Sequence, residues 1–248
     1  MGYHAYIALD DGHGMNTPGK RTPYIPELKR QILENEFNRA VVYYLKKELE
    51  HNGFKVLLTA PETNDVPLST RVKRANNAKV DLFVSVHYNA YDSKFNGNDP
   101  EGVEAFIYDW GGTREKVARA VLAELVKGTK QKNRGIKVAK FYVLKYTTMP
   151  AVLLECGFMD NKREALLMID PDFQKETAAD IARGICKHYG VTYKAGANAP
   201  KPTPKEGDKD DILYCIQVGA FADRDNAEEQ LKKLEKAGFK GFIFTKRA

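Results

Sequence analysis

The sequence predicts an α/β body, with a largely parallel twisted sheet between helical layers, followed by a proline-rich linker and a small C-terminal β-α-β segment. Two observations carry this. Short β-branched and apolar runs alternate with amphipathic stretches of helical period over roughly the first 190 residues, the pattern of repeated βαβ units. Between about Tyr193 and Asp211 the chain then turns to Ala-Pro-Lys-Pro-Thr-Pro and lysine, with almost nothing apolar to pack, as in an extended linker. The divisions are residues 1–190 (body), 191–211 (linker) and 212–248 (tail).

In chain order, strands are expected near Tyr3–Leu9, Phe54–Thr59, Leu82–Val86, Val103–Tyr108, Phe141–Lys145 and Val152–Leu154, where β-branched and aromatic residues cluster. Phe37, Val41, Tyr44, Leu45 and Leu49 have the spacing of one buried helical face. Thr113–Lys130, Lys162–Ile169 and Phe173–Tyr189 read as further helices. In such folds ligands gather beyond the carboxyl ends of the strands.

The 248 residues are 43% hydrophobic and 29% charged, enough apolar material for a core, which excludes wholesale disorder. No apolar run approaches the roughly 18–20 residues of a membrane span, so no integral membrane association is expected. The N-terminal Met-Gly-Tyr-His-Ala-Tyr lacks the basic segment and cleavage site of a secretory leader, so synthesis in the cytoplasm is expected. A net charge of +6 is a mild preference for anions and does not by itself choose among nucleic acid, lipid headgroups and wall polymers. Cys156, Cys186 and Cys215 are odd in number with no close pair, which suggests neither a disulfide framework nor a cysteine zinc knuckle.

Three polar groups stand at strand exits. His13 follows the first strand in Leu-Asp-Asp-Gly-His-Gly, His87 follows Leu82–Val86, and Glu155 ends Ala-Val-Leu-Leu-Glu. A single strand-end histidine is usually a hydrogen-bonded structural residue; three groups at equivalent ends point to a site. A hydrolytic zinc ion usually takes three protein ligands and keeps a fourth position for water, so two histidines need a carboxylate. At about 100° per residue, Glu34 projects within the arc of Phe37, Val41, Tyr44 and Leu45, whereas Glu36 points away. Glu34 at the start of a helix also suits the helix dipole without any metal.

These residues sit in four ordered motifs: Asp-x-Gly-His-Gly at Asp10–Gly14, Glu-x-x-x-Asn at Glu34–Asn38, Ser-Val-His-x-Asn-Ala at Ser85–Ala90, and Met-Pro-Ala-Val-Leu-Leu-Glu-x-Gly-Phe-x-x-Asn at Met149–Asn161. Together they resemble the zinc-dependent N-acetylmuramoyl-L-alanine amidases of the Amidase_3 type, over most of residues 3–189. The resemblance implies one zinc ion held by His13, Glu34 and His87, with Glu155 as the catalytic carboxylate. It implies a reaction in which zinc polarises the carbonyl between the lactyl group of N-acetylmuramic acid and L-alanine. Glu155 would then take a proton from water and return it to the leaving amine. Asp11 stands where this family commonly has proline, a change expected to alter the loop without removing a ligand.

Competing uses of nearby residues are weaker. Cys156 adjoins Glu155 and so points to the opposite face of a strand, where a buried thiol is commonest. Glu101, Glu104 and Asp109 fix no carboxylate separation for a glycosidase pair and read as solvated charges. Asn16–Pro23 resembles no phosphate or dinucleotide loop and reads as a wall beside the zinc. In the tail, Leu213–Phe221, the helical Asn226–Phe239 and the strand-like Gly241–Phe244 resemble half of a SPOR peptidoglycan-binding module, which implies tethering to an insoluble substrate. The implied partner is bacterial peptidoglycan rather than nucleic acid, met by a monomeric enzyme acting on the wall after release, as a phage endolysin or a bacterial autolysin. A catalytically silent peptidoglycan-binding protein, and a zinc hydrolase of another cell-wall amide bond, are the competing readings.

Overall fold

In the computed structural model, residues 2–196 and 223–236 are described. The chain divides into two units, Met1–Lys201 and Pro202–Ala248.

The first unit carries a six-stranded sheet built from β1 (Tyr6–Asp10), β2 (Lys55–Leu58), β3 (Leu82–Asn89), β4 (Val103–Ile107), β5 (Asn133–Val138) and β6 (Ala151–Phe158), in the order β2-β1-β3-β6-β4-β5. All neighbours are parallel except β4 and β6. The helices are α1 (Glu34–His51), α2 (Leu68–Ala78), α3 (Gly112–Thr129), α4 (Tyr142–Tyr146), α5 (Lys162–Leu167) and α6 (Pro171–His188).

The pleat sorts the central strands onto two cores. Ile7, Leu9, Val84, Val86, Val152 and Leu154 pack with apolar residues of α1, α3 and α6, including Phe37, Val41, Leu45, Val121 and Ile181. Ala8, Phe83, Ala151 and Leu153 face the other way and pack with Val72 and Ala75 of α2 and Val143 and Leu144 of α4. Apolar residues on both faces are what a covered parallel sheet requires.

Three expectations change. The run Phe141–Lys145 is helix, not strand: its aromatic, β-branched composition mimics a strand, but Lys145 donates its amide to the Phe141 carbonyl at 2.9 Å and the Tyr142 and Tyr146 rings meet at 4.5 Å, one helical turn apart. The strand in this part of the chain is instead β5, an edge strand whose Asn-Arg-Gly-Ile-Lys-Val has one polar side and a glycine, so it lacks the apolar signature. α2 was not expected either, because its mostly polar Leu-Ser-Thr-Arg-Val-Lys-Arg-Ala-Asn-Asn-Ala hides a narrow buried stripe of Arg71, Val72 and Ala75.

The body continues into the expected linker. Tyr193 Oη donates to Glu48 Oε2 at 2.7 Å, the Lys194 amide to Asn52 Oδ1 at 2.7 Å and the Gly196 amide to Glu48 Oε2 at 3.0 Å, which straps residues 191–196 to the end of α1. The rest of the expected linker, Cys215 and the expected tail strands lie outside the described residues. The expected tail helix is α7 (Arg224–Lys236), supported by the i,i+4 pairs Arg224–Glu228 and Glu229–Lys233.

Candidate metal centre and active site

At the carboxyl ends of β1, β3 and β6, three of the expected ligands come together. His13 lies on the loop after β1, Glu34 opens α1, and His87 lies near the end of β3; one ligand atom from each falls within 4.8 Å of the others. His13 Nε2 is 3.4 Å from Glu34 Oε2, and His87 Nδ1 is 3.0 Å from Glu34 Oε1. Glu34 arrives from the α1 layer, while His87 continues the opposite face of β3, so the cluster forms where both layers end. His87 and Glu155 sit inside their strands rather than beyond them, because β3 and β6 run farther than their apolar runs.

Burial alone would raise the Glu34 carboxyl, but the hydrogen bond and charge of His87, with His13 and Lys20, hold it down to about 2. Burial pushes His13 down to about 4, leaving its ring neutral at ordinary pH. A neutral imidazole and an ionised carboxylate are the forms that bind metal. Glu34 Oε1 accepts from Asn38 Nδ2 and the Tyr88 amide, both at 3.2 Å; Oε2 is buried and has no hydrogen-bond partner among the described residues. A buried carboxylate oxygen without a partner is costly, and a cation beside the two imidazoles satisfies it. The donor set of two imidazoles and one carboxylate fits a catalytic zinc site.

Glu155 stands next to His87 in the β3–β6 register. Burial first, then the Glu34 charge, pushes its carboxyl up to about 8 against the pull of His87, and its Oε2 is likewise buried without a partner. A buried carboxyl that is protonated near neutral pH, beside two imidazoles and a second carboxylate, has the chemistry needed to exchange a proton there.

Three residues that the sequence reading missed hold the ligands in place. His13 has a left-handed backbone (φ 62°), a costly conformation for a non-glycine residue. Asn35 Nδ2 donates to the carbonyls of Asp11, Gly12 and His13 at 2.7, 3.0 and 3.3 Å. Arg71, fully buried, donates Nη2 to the His13 carbonyl at 2.6 Å and Nη1 to Asp10 Oδ1 at 2.9 Å. Ser85 Oγ donates to Asp10 Oδ2 at 2.6 Å and lies 3.0 Å from His87 Nε2, so each ring nitrogen of His87 has a partner. Asn38 adds a bond to the Gly12 carbonyl at 3.1 Å. Gly12 passes over the His87 ring so closely that a Cβ there would fall 2.3 Å from it. The signal for Arg71 was its place on the inward stripe of α2, legible only once that helix is seen.

Asp11 is buried, and burial with the Asp10 charge pushes it up to about 7; the loop keeps His13 beside Glu34. Cys156 faces away from Glu155 into the α1, α3 and α6 core, where burial raises its thiol far above the usual range. Thr17 Oγ1 accepts from the Gly14 amide at 2.8 Å, and Lys20 Nζ lies 4.0 Å from Glu34 Oε2, so the loop of residues 16–23 does wall the cluster. Glu104 departs from expectation. It is buried, not solvated, and takes charges from Arg134 and Lys137 and a bond from Asn89 Nδ2 at 2.7 Å; Asn89 thus serves Glu104 and not the metal cluster.

A profile of the N-acetylmuramoyl-L-alanine amidases matches residues 7–187, and one of the SPOR domain matches residues 210–248. A protein of Clostridium perfringens, uncharacterised and of 38.4 kDa, is 37% identical over 189 residues, covering 73% of this chain; the chain spans 51% of that relative's length. The endolysin of Bacillus phage SPP1 is 33% identical over 201 residues, 80% of this chain and 71% of the phage protein. Among solved structures, the catalytic domain of CwlV, an N-acetylmuramoyl-L-alanine amidase from Bacillus (Paenibacillus) polymyxa var. colistinus, superposes with a TM-score of 0.66 at 31% identity, covering 76% of this chain and 99% of that one. With its sheet order, its histidine and glutamate cluster and these matches in hand, the chain belongs to the N-acetylmuramoyl-L-alanine amidase family.

Proposed function

We propose that this chain hydrolyses the amide bond between the lactyl group of N-acetylmuramic acid and L-alanine in bacterial peptidoglycan, with one zinc ion held by His13, Glu34 and His87. The observation that carries the reading is the buried Glu34 carboxylate between two histidines, His87 at Oε1 and His13 at an Oε2 that has no hydrogen-bond partner among the described residues, with Glu155 alongside in the strand register. Zinc, when bound, supplies a Lewis acid for the carbonyl and lowers the pKa of a water molecule toward neutrality. Glu155 accepts the proton of the attacking water, holds it in its buried carboxyl and delivers it to the departing alanine amine. Ser85 fixes the His87 ring through Nε2, which leaves Nδ1, on the Glu34 side, for the metal, while Arg71 and Asn35 fix the backbone that presents His13.

The body acts on the cell wall as a monomer, and the SPOR-matched tail holds it there by raising its local concentration. Similarity to a phage endolysin supports a lytic role. No helix among the described residues is long and apolar enough to cross a membrane.

Mass spectrometry of digested peptidoglycan tests the reaction. New free L-alanine amino termini on intact stem peptides, without new reducing sugars, are expected; reducing ends would make it a glycosidase, cleavage within the stem a peptidase, and no cleavage a silent wall binder.

A further inference from the structure

The catalytic row of the sheet does not stop at Glu155. His87 on β3 pairs with Glu155 on β6, and Glu155 pairs with Glu104 on β4, so the three side chains stand side by side on one face. Beyond them, β5 closes the edge of the sheet with two cations. Arg134 Nε donates to Glu104 Oε2 at 2.9 Å and Lys137 Nζ to the same oxygen at 2.5 Å.

Residues three apart on a regular strand point to opposite faces. Here the β4–β5 register shifts between Val103 and Ala105: Val103 pairs with Asn133 but Ala105 with Ile136. Two residues, Arg134 and Gly135, therefore oppose Glu104 alone, and Gly135 takes a left-handed φ of 83°, as a bulge glycine does. The extra residue turns Arg134 and Lys137 onto the same side. Two cations then share one buried carboxylate, which leaves a net positive charge at the rim. Their side chains remain 27% and 42% exposed. Arg134 is further fixed by stacking 4.7 Å over the Phe158 ring and by donating Nη1 to the Glu101 carbonyl at 3.4 Å, while its Nη2 has no hydrogen-bond partner among the described residues.

We propose that Arg134 and Lys137 bind a carboxylate of the stem peptide, two residues along from the scissile amide, and so favour stems whose second residue carries a free α-carboxylate. This rests on the amidase reading of the site. The distances agree: β5 is two strand spacings from Glu155, roughly 10 Å, two residues of extended chain reach about 7 Å, and the Arg134 and Lys137 side chains, which already reach back to Glu104, span the rest. A guanidinium whose Nη2 is free, beside an ammonium, forms charge-assisted hydrogen bonds to a carboxylate and only weaker neutral ones to a carboxamide.

The test uses the zinc-loaded full-length chain and two soluble substrates, N-acetylmuramoyl-L-alanyl-D-glutamate with its γ-carboxyl blocked as the methylamide, and its counterpart amidated at the α-carboxyl as well. The wild type is expected to cleave the carboxylate form at a KM roughly tenfold below that of the amide. Arg134→Gln with Lys137→Gln, made in a Glu104→Gln background so that no buried carboxylate is left unpaired, should remove this preference by raising KM for the carboxylate substrate alone, at nearly unchanged kcat. Arg134→Lys, which keeps the charge and so the pairing with Glu104, should retain part of it. Equal KM values in the wild type, or a loss on both substrates alike in a double variant with full zinc and unchanged Tm, would overturn the proposal. Calorimetric titration of the two product dipeptides reads binding without turnover. A preference there for the carboxylate form supports the proposal even if no substrate is cleaved, in which case it is the hydrolytic reading that fails.

Discussion

Arg71 and His13 are joined by a 2.6 Å hydrogen bond from a fully buried guanidinium to a backbone carbonyl, and the same guanidinium pairs with Asp10 at 2.9 Å. One charge thus fixes both ends of the loop that carries the first ligand, and it does so from α2, on the far side of the sheet from the helix that supplies Glu34.

Arg71→Lys keeps the charge but loses the fork, so it should weaken zinc binding by about 10–100-fold while the fold persists. Arg71→Met leaves Asp10 buried and uncompensated, and is expected to destabilise the protein by about 3–5 kcal/mol. Zinc titration against a competing chelator and thermal unfolding check the two effects separately.

His87→Ala removes one of the three proposed ligands and should strip the metal. Elemental analysis after dialysis is expected to fall from one zinc per chain to near zero, and thorough chelation of the wild type should abolish lysis. Full zinc retention would mean that the ligands are elsewhere.

Glu155→Gln should keep zinc and fold while losing about 10²–10⁴-fold in turnover, the range for removing acid–base assistance. Zinc lost together with activity would make Glu155 a ligand and reopen the role of Glu34.

The same residue makes the stability of the zinc-free protein depend on pH. Burial pushes its folded carboxyl up to about 8 from an ordinary 4.5, so the folded state binds the proton more tightly than the unfolded one. The associated stability is fully present below pH 4.5 and is lost as pH rises through about 8. Zinc-free Glu155→Gln should therefore gain Tm over zinc-free wild type as pH rises from 5 to 9. A gap that stays constant across that range contradicts the raised pKa.

How much was legible follows from how each residue's signal is encoded. His13, Glu34, His87 and Glu155 could be found because each sits in a short local motif at a predictable strand or helix end. The strap at Tyr193–Gly196 and the clamp by Arg71 could not, since both depend on partners far along the chain, Glu48 and Asp10. Glu104 read as solvated because its neutralising cations come from β5, an edge strand without an apolar pattern, and from a bulge that no periodicity announces. Phe141–Lys145 failed for the reverse reason: strand-like composition yielded to burial of Val143 and Leu144 beside α2.

A chain ending at Gly196 keeps the strap and all four chemical residues. It should fold, bind zinc and cleave soluble muropeptides at nearly the full-length rate, yet pellet less with intact sacculi and lyse them more slowly at low concentration. The deficit should close as enzyme is added, because tethering changes local concentration and not the barrier. Equal pelleting by both forms would remove the targeting role.

The strap also fixes where the described chain of the first unit ends. α1 has 18 residues, roughly 27 Å of helix, with Glu34 at its first position and Glu48 and Asn52 at its far end. Gly196, held by Glu48, therefore lies about a helix length from His13, Glu34 and His87, so a protease that nicks the chain after it leaves the surroundings of those three side chains untouched.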